Sequence, residues 1–179
     1  RPRGGADDAF EDWNRRGVGH LRHSHAFLAR LRTIIKTEHP ELHAELLRAG
    51  CRELGFDRML TDIHRADYRP QPEDRDFVVL TSRRTTLEMV IRRYVERMPG
   101  VRILSSTNVT GLLGGLDGEG RYVVRGLALE DAAGPREEEA DFVVDGAGRM
   151  SQGFEWLNDA GVTFDEEEED AGILYYTRH

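Results

Sequence analysis

Ala140-Asp141-Phe142-Val143-Val144-Asp145-Gly146-Ala147-Gly148-Arg149-Met150-Ser151 is the stretch on which the reading of this chain turns. Phe142-Val143-Val144 has the aromatic and β-branched content of a strand, and it leads into Asp145-Gly146-Ala147-Gly148. Glycines there permit a tight turn and let the backbone approach a ligand closely. Taken alone, Gly146, Gly148 and Ser151 form a degenerate Gly-x-Gly-x-x-Gly fingerprint, with Asp165 standing about 20 residues on in the place of the ribose acid. That fingerprint belongs in the first turn of a βαβ unit, whereas here strands precede it and too little chain follows to build the unit. The same residues also read as a plain strand-to-helix turn, with Asp145 a turn aspartate bonding its own backbone.

Working upstream, the apolar period is 2. Residues 101–104, 109–113, 122–129 and 140–144 are four expected strands, with turn signals at Gly114-Gly115, Asp117-Gly118-Glu119-Gly120 and Ala133-Gly134-Pro135. The last three strands are close enough to form an antiparallel meander, and Val109, Val123 and Val143 are expected in ordered pairing within it.

Before Gly100 the period is 3.6. Thr85-Thr86-Leu87-Glu88 fits a capping box, in which the Thr side chain bonds the third amide and the Glu reaches back to the cap. Leu87, Val90, Ile91, Tyr94, Val95 and Met98 then line one helix face, and Pro99-Gly100 ends it. Residues 77–80 make a short strand just before. From Ser24, the residues Phe27, Leu28, Leu31, Ile34 and Ile35 predict another helix, which Pro40 stops. Leu42, Leu46 and Leu47 continue on a short one ended by Gly50. Residues 52–76 show no sustained period and read as a loop-rich excursion. Helices followed by a meander indicate an α/β class.

Composition narrows the function. The 179 residues are 39% hydrophobic and 32% charged, with a formal charge of −8, which argues against drawing affinity from nucleic-acid phosphates. Cys51 is the single cysteine, so no intrachain disulfide or cysteine-rich zinc site can form, and a reducing, cytoplasmic compartment is expected. No apolar run approaches the roughly 20 residues of a membrane span. His20, His23 and His25 are a possible metal cluster by residue type, but they lie in a loop without ligand periodicity. The acidic run 165–170 reads as a solvated loop. The opening Arg-Pro-Arg-Gly-Gly-Ala-Asp-Asp reads as a loop after a strand, and Gly172-Ile173-Leu174-Tyr175-Tyr176-Thr177 as a strand begun and not completed. A piece of a longer protein is therefore expected.

Two of these motifs carry a family resemblance. Val143-Val144-Asp145-Gly146-Ala147-Gly148-Arg149-Met150-Ser151 resembles the Asp-Gly motif of flavoprotein monooxygenases of the aromatic-hydroxylase type, and Ser82-Arg83-Arg84-Thr85-Thr86-Leu87-Glu88 resembles their Arg-x-x-Leu-Asp/Glu helix start. They stand in the family's order. Arg16-Gly17-Val18 through Phe27-Leu28 is similar to the loop that passes the flavin after the second strand. The resemblance runs from Asp12 to Tyr176, with order and spacing carrying more weight than any single motif. The family's Gly-x-Gly-x-x-Gly, the acid that holds the adenosine ribose and the downstream Gly-Asp motif are absent.

The resemblance implies an α/β, partial FAD/NAD(P)-binding (Rossmann-like) domain with an antiparallel β-meander, lacking the N-terminal dinucleotide fingerprint. It would occupy residues 1–171, with 172–179 starting a substrate-domain strand. It further implies an FAD-dependent oxidoreductase, a monooxygenase in which NAD(P)H reduces the flavin, the flavin activates dioxygen and a small organic substrate is oxidised. The expected cofactor-binding residues are Arg84, Asp145, Gly146, Val109, Arg16 and Arg83. Arg84, beside a helix start that favours anions, would help hold pyrophosphate or a ribitol hydroxyl, and Arg83 would act likewise. Asp145 would lie near the pyrophosphate and ribose, and the Val109 backbone would meet the adenine. A missing catalytic triad is no objection, because the flavin performs the oxygen chemistry. A reductase of the geranylgeranyl-reductase type or a flavin halogenase on the same fold, and a cofactor-free interaction domain, are the competing readings.

Overall fold

The computed structural model describes residues 3–15, 18, 20–148 and 151–165. It is a mixed α/β structure with two antiparallel three-stranded sheets. The chain divides into two compact units, residues 1–103 and 104–179, each described below by itself. Among the described residues no helix is long and apolar enough to cross a membrane.

In the first unit α1 (Ala6–Asp12) precedes β1 (Ser24–Phe27), and α2 (Ala29–Glu38) and α3 (Pro40–Arg48) are separated only by His39. Then come β2 (Arg52–Gly55), α4 (Phe56–Met59), α5 (Asp62–Asp67), a 3-10 turn (Pro72–Asp76), β3 (Val78–Arg83) and α6 (Arg84–Glu96). The sheet order is β1-β3-β2, so β3 is central, with Leu80 opposite Phe27 on one side and Glu53 on the other. Leu80 is fully buried, and with Leu46, Leu87, Met89, Val90, Ile35 and Leu42 it forms the core, to which α1 adds Ala9 and Trp13. At roughly 1.5–3 kcal/mol for each fully buried large apolar side chain, this cluster is the main stabilising element of the unit. A charged link ties both helices to the sheet. Glu53 of β2 accepts hydrogen bonds at 2.6 Å from Arg32 of α2 and at 2.8 Å from His43 Nε2 of α3.

Residues 24–27 pair as a strand, and the helix begins only at Ala29, because the ladder to β3 claims those backbone groups. The excursion 52–76 contains β2 and short helical turns, since Arg52–Gly55 completes the far edge of β3. The capping box is not formed. Arg83 is the N-cap of α6, and Thr85 lies inside the helix with its hydroxyl buried and unpartnered. The Arg84 amide donates instead to the His23 carbonyl at 3.0 Å, so the neighbouring chain does the work of a side-chain cap.

In the second unit β4 (Asn108–Leu116), β5 (Tyr122–Asp131) and β6 (Gly134–Glu139) form the meander, followed by α7 (Gly153–Asp159). Val109 faces Leu129 and Val123 faces Gly115. Val143 is in no strand, so its expected pairing is not observed, and neither 101–104 nor 140–144 is a strand. The third strand is the charged stretch from Gly134, which read as a turn. Asp131 Oδ1 accepts the Ala133 amide at 2.8 Å, which closes the hairpin so tightly that Gly134 already pairs with Asp131. Its outward Glu137 and Glu139 suit an edge strand, where charge discourages further pairing. Gly114-Gly115 is not a turn either. It lies inside β4, where the register shifts between Leu113 and Gly114 and a Cβ on Gly114 would stand 2.3 Å from the Val123 carbonyl oxygen. The turn at 117–120 is as expected, with Asp117 Oδ1 accepting the Glu119 and Arg121 amides at 2.9 Å.

Candidate functional site

Within the second unit the β4-β5 face, the segment 141–147 and α7 line an open cavity of about 790 Å³. Val109 and, far from it in sequence, the adjacent Asp145 and Gly146 all line it. Leu112 and Leu127 form the sheet side, and Phe154, Trp156 and Leu157 of α7 the helix side. Phe142 and Val144 add to the wall while remaining largely solvent-exposed. The volume and the apolar lining with a few polar groups are those of a small-molecule or cofactor pocket.

Asp145 is the fixed polar group of this cavity. Its Oδ1 accepts the Ala147 amide at 2.8 Å, and its Oδ2 accepts the Ser151 hydroxyl. Ser151 Oγ in turn accepts the Gly153 amide at 3.0 Å, at the start of α7. The hydrogen bond from Ser151, then that from Ala147, holds the Asp145 carboxyl below the usual aspartate range. It is a carboxylate at neutral pH, exposed and able to accept further hydrogen bonds. The turn-aspartate reading from sequence thus describes its local geometry, and the residue also lines the cavity.

In the first unit Arg83 and Arg84 sit at the start of α6. Arg84 Nε donates to Glu88 Oε1 at 2.5 Å, and Arg15, from the loop after α1, donates to the other oxygen of the same carboxylate. Burial pushes the Glu88 carboxyl up, but the hydrogen bonds from Arg84 and Arg15 outweigh it and hold it below the ordinary glutamate range. Arg83 turns to α1, bonding Asp7 Oδ1 at 2.7 Å with its guanidinium 4.5 Å over the Phe10 ring. Arg16 lies outside the described residues, as does the segment 172–179. The rings of His20 and His25 stack at 5.5 Å, and among the described residues no group of three or more His, Cys, Asp or Glu side chains is arranged to hold a metal ion.

The structure therefore gathers Val109, Asp145 and Gly146 in one cavity, while Arg84 and Arg83 belong to the first unit. Sequence reasoning missed the α7 wall, although Phe154 and Leu157 stand at helical spacing. It also missed Arg15 and Glu88 as partners of Arg84, although Arg84 and Glu88 are an i,i+4 pair. No protein-family model matches the chain, and no curated protein matches it.

Proposed function

We propose that this chain is part of an FAD-dependent oxidoreductase with a Rossmann-like flavin domain, and that the cavity of the second unit receives the adenosine end of FAD. The observation that carries the reading is the convergence of Val109, Asp145 and Gly146 on one apolar cavity. Val109 belongs to the meander and Asp145-Gly146 to the one Asp-Gly motif, so the cavity brings together two stretches that the sequence reading singled out separately.

The residues present fit that group. The apolar walls suit a flat adenine ring, and aromatic faces such as Phe154 and Trp156 offer stacking surfaces. The Asp145 carboxylate can accept ribose hydroxyls, a charge-assisted bond stronger than a neutral one. It would repel a phosphate oxygen, so the ribose side suits Asp145 better than the pyrophosphate. When bound, the flavin supplies the redox and oxygen chemistry, with NAD(P)H as donor, dioxygen as oxidant and a small organic substrate in the monooxygenase reading. The protein orients the cofactor and excludes water.

Trp156 provides the test. Titrating the full-length apoprotein with FAD and with adenosine diphosphate should quench its fluorescence, and Val109→Arg, which puts a charge against the apolar wall, should weaken both ligands. Quenching by neither ligand, or unchanged affinity in Val109→Arg, would refute the assignment of this cavity.

A further inference from the structure

One carboxylate on α6 is bonded by two arginines that come from different parts of the chain. Glu88 takes Arg84 through Nε at 2.5 Å and Arg15 through a terminal nitrogen. Arg84 stands at the first position of the helix, Glu88 one turn later and Arg15 beyond the end of α1. The pairing orients both guanidinium groups while using few of their donors, because each guanidinium has five N–H groups in a fixed fork.

The surroundings favour an anion. The first turn of α6 contains no acidic residue of its own, and the positive pole of the helix lies there. Arg15, Arg83 and Arg84 outnumber Asp7 and Glu88 in the local ion pairs. Arg84 keeps a quarter of its side chain exposed and Arg15 nearly half, at 24% and 44%, so both can meet a ligand.

We propose that Glu88 is a positioning residue: it holds Arg84 and Arg15 as a preset pair for a diphosphate group. The inference rests on the flavin reading of Arg84, and it adds Glu88 and Arg15 to that reading. Glu88 touches no ligand itself. Its part is to remove the rotamer freedom that two long side chains would otherwise lose on binding.

Glu88→Gln and Glu88→Ala separate orientation from charge. Both remove the negative charge, but only glutamine keeps an acceptor for Arg84 Nε. The full-length apoprotein and the two variants are titrated with FAD and, separately, with inorganic pyrophosphate, and their melting temperatures are recorded. The expected result is that Glu88→Ala binds both ligands about 10-fold more weakly than Glu88→Gln, the worth of one charge-assisted hydrogen bond. Equal affinities in the two variants would overturn the proposal, whatever happens to melting, because a purely structural role moves stability without separating the dissociation constants. If pyrophosphate binds with the expected difference and FAD does not bind, Glu88 keeps its role and the flavin reading fails. If neither ligand binds the parent, both are overturned.

Discussion

The carboxylate of Asp145 accepts the hydroxyl of Ser151, and that bond links the cavity wall to a residue two places before α7. The wall and the helix are thereby coupled through two side chains. Ser151→Ala removes both the bond to Asp145 and the acceptor for the Gly153 amide. The Asp145 carboxyl should then titrate at higher pH, nearer the ordinary aspartate value, as followed by carboxyl NMR chemical shift against pH. An unmoved titration would show that the Ala147 amide alone sets it.

Thr85 offers a test of the corrected helix start. Read as a cap, Thr85 would cost about 1 kcal/mol when its hydroxyl is removed. With the hydroxyl buried and unpartnered, Thr85→Val should instead stabilise the protein by about 1 kcal/mol, since an unsatisfied buried polar group costs roughly 1–3 kcal/mol. Urea denaturation distinguishes the two by the sign of the change.

The Glu53 link predicts a pH dependence. Burial raises the Glu53 carboxyl, but the hydrogen bonds from His43 and Arg32 outweigh it and leave it lowered overall. A carboxyl whose folded pKa lies below its unfolded value contributes stability that is fully present above the unfolded value. That contribution is lost as pH falls through the folded value. The urea midpoint of the wild type should therefore exceed that of Glu53→Gln at pH 7 and converge on it as pH falls below about 4.3, the ordinary glutamate value. A constant difference down to strongly acidic pH would contradict this.

Gly114 is set where β4 shifts register against β5. Because an added Cβ would stand 2.3 Å from the Val123 carbonyl oxygen, the backbone itself must move to admit one. Gly114→Ala should destabilise the protein by about 1–3 kcal/mol, the usual cost of overpacking, whereas Gly115→Ala, whose Cβ meets nothing within 4 Å, should cost far less. Denaturation of the two variants side by side checks the contrast.

Much of the architecture was legible because local signals were strong. The face of α6 through Leu87, Val90 and Tyr94, the helix break at Pro40 and the Asp117 turn follow from periodicity and turn chemistry. What sequence missed was decided by partners distant in the chain. Residues 24–27 carry a helical pattern, yet β3 offers them a ladder. Gly134-Pro135 followed by charges reads as a loop, yet the Asp131 turn returns it to β5 as an edge strand. Phe142-Val143-Val144 reads as a buried strand, yet it forms no ladder and instead walls the cavity with Phe142 and Val144 exposed. At the candidate site, Val109 was legible as a meander position and Asp145-Gly146 as a single Asp-Gly motif. The wall from α7 and the Arg15–Glu88–Arg84 pairing were not, because a pocket and a bridge between elements are properties of packing.

The most direct measurement is the visible absorption spectrum of the purified full-length protein, before and after denaturation. The account predicts a yellow protein whose flavin is released on denaturation and identified as FAD, with one FAD bound per chain. A colourless protein that gains no flavin when reconstituted with FAD would contradict it.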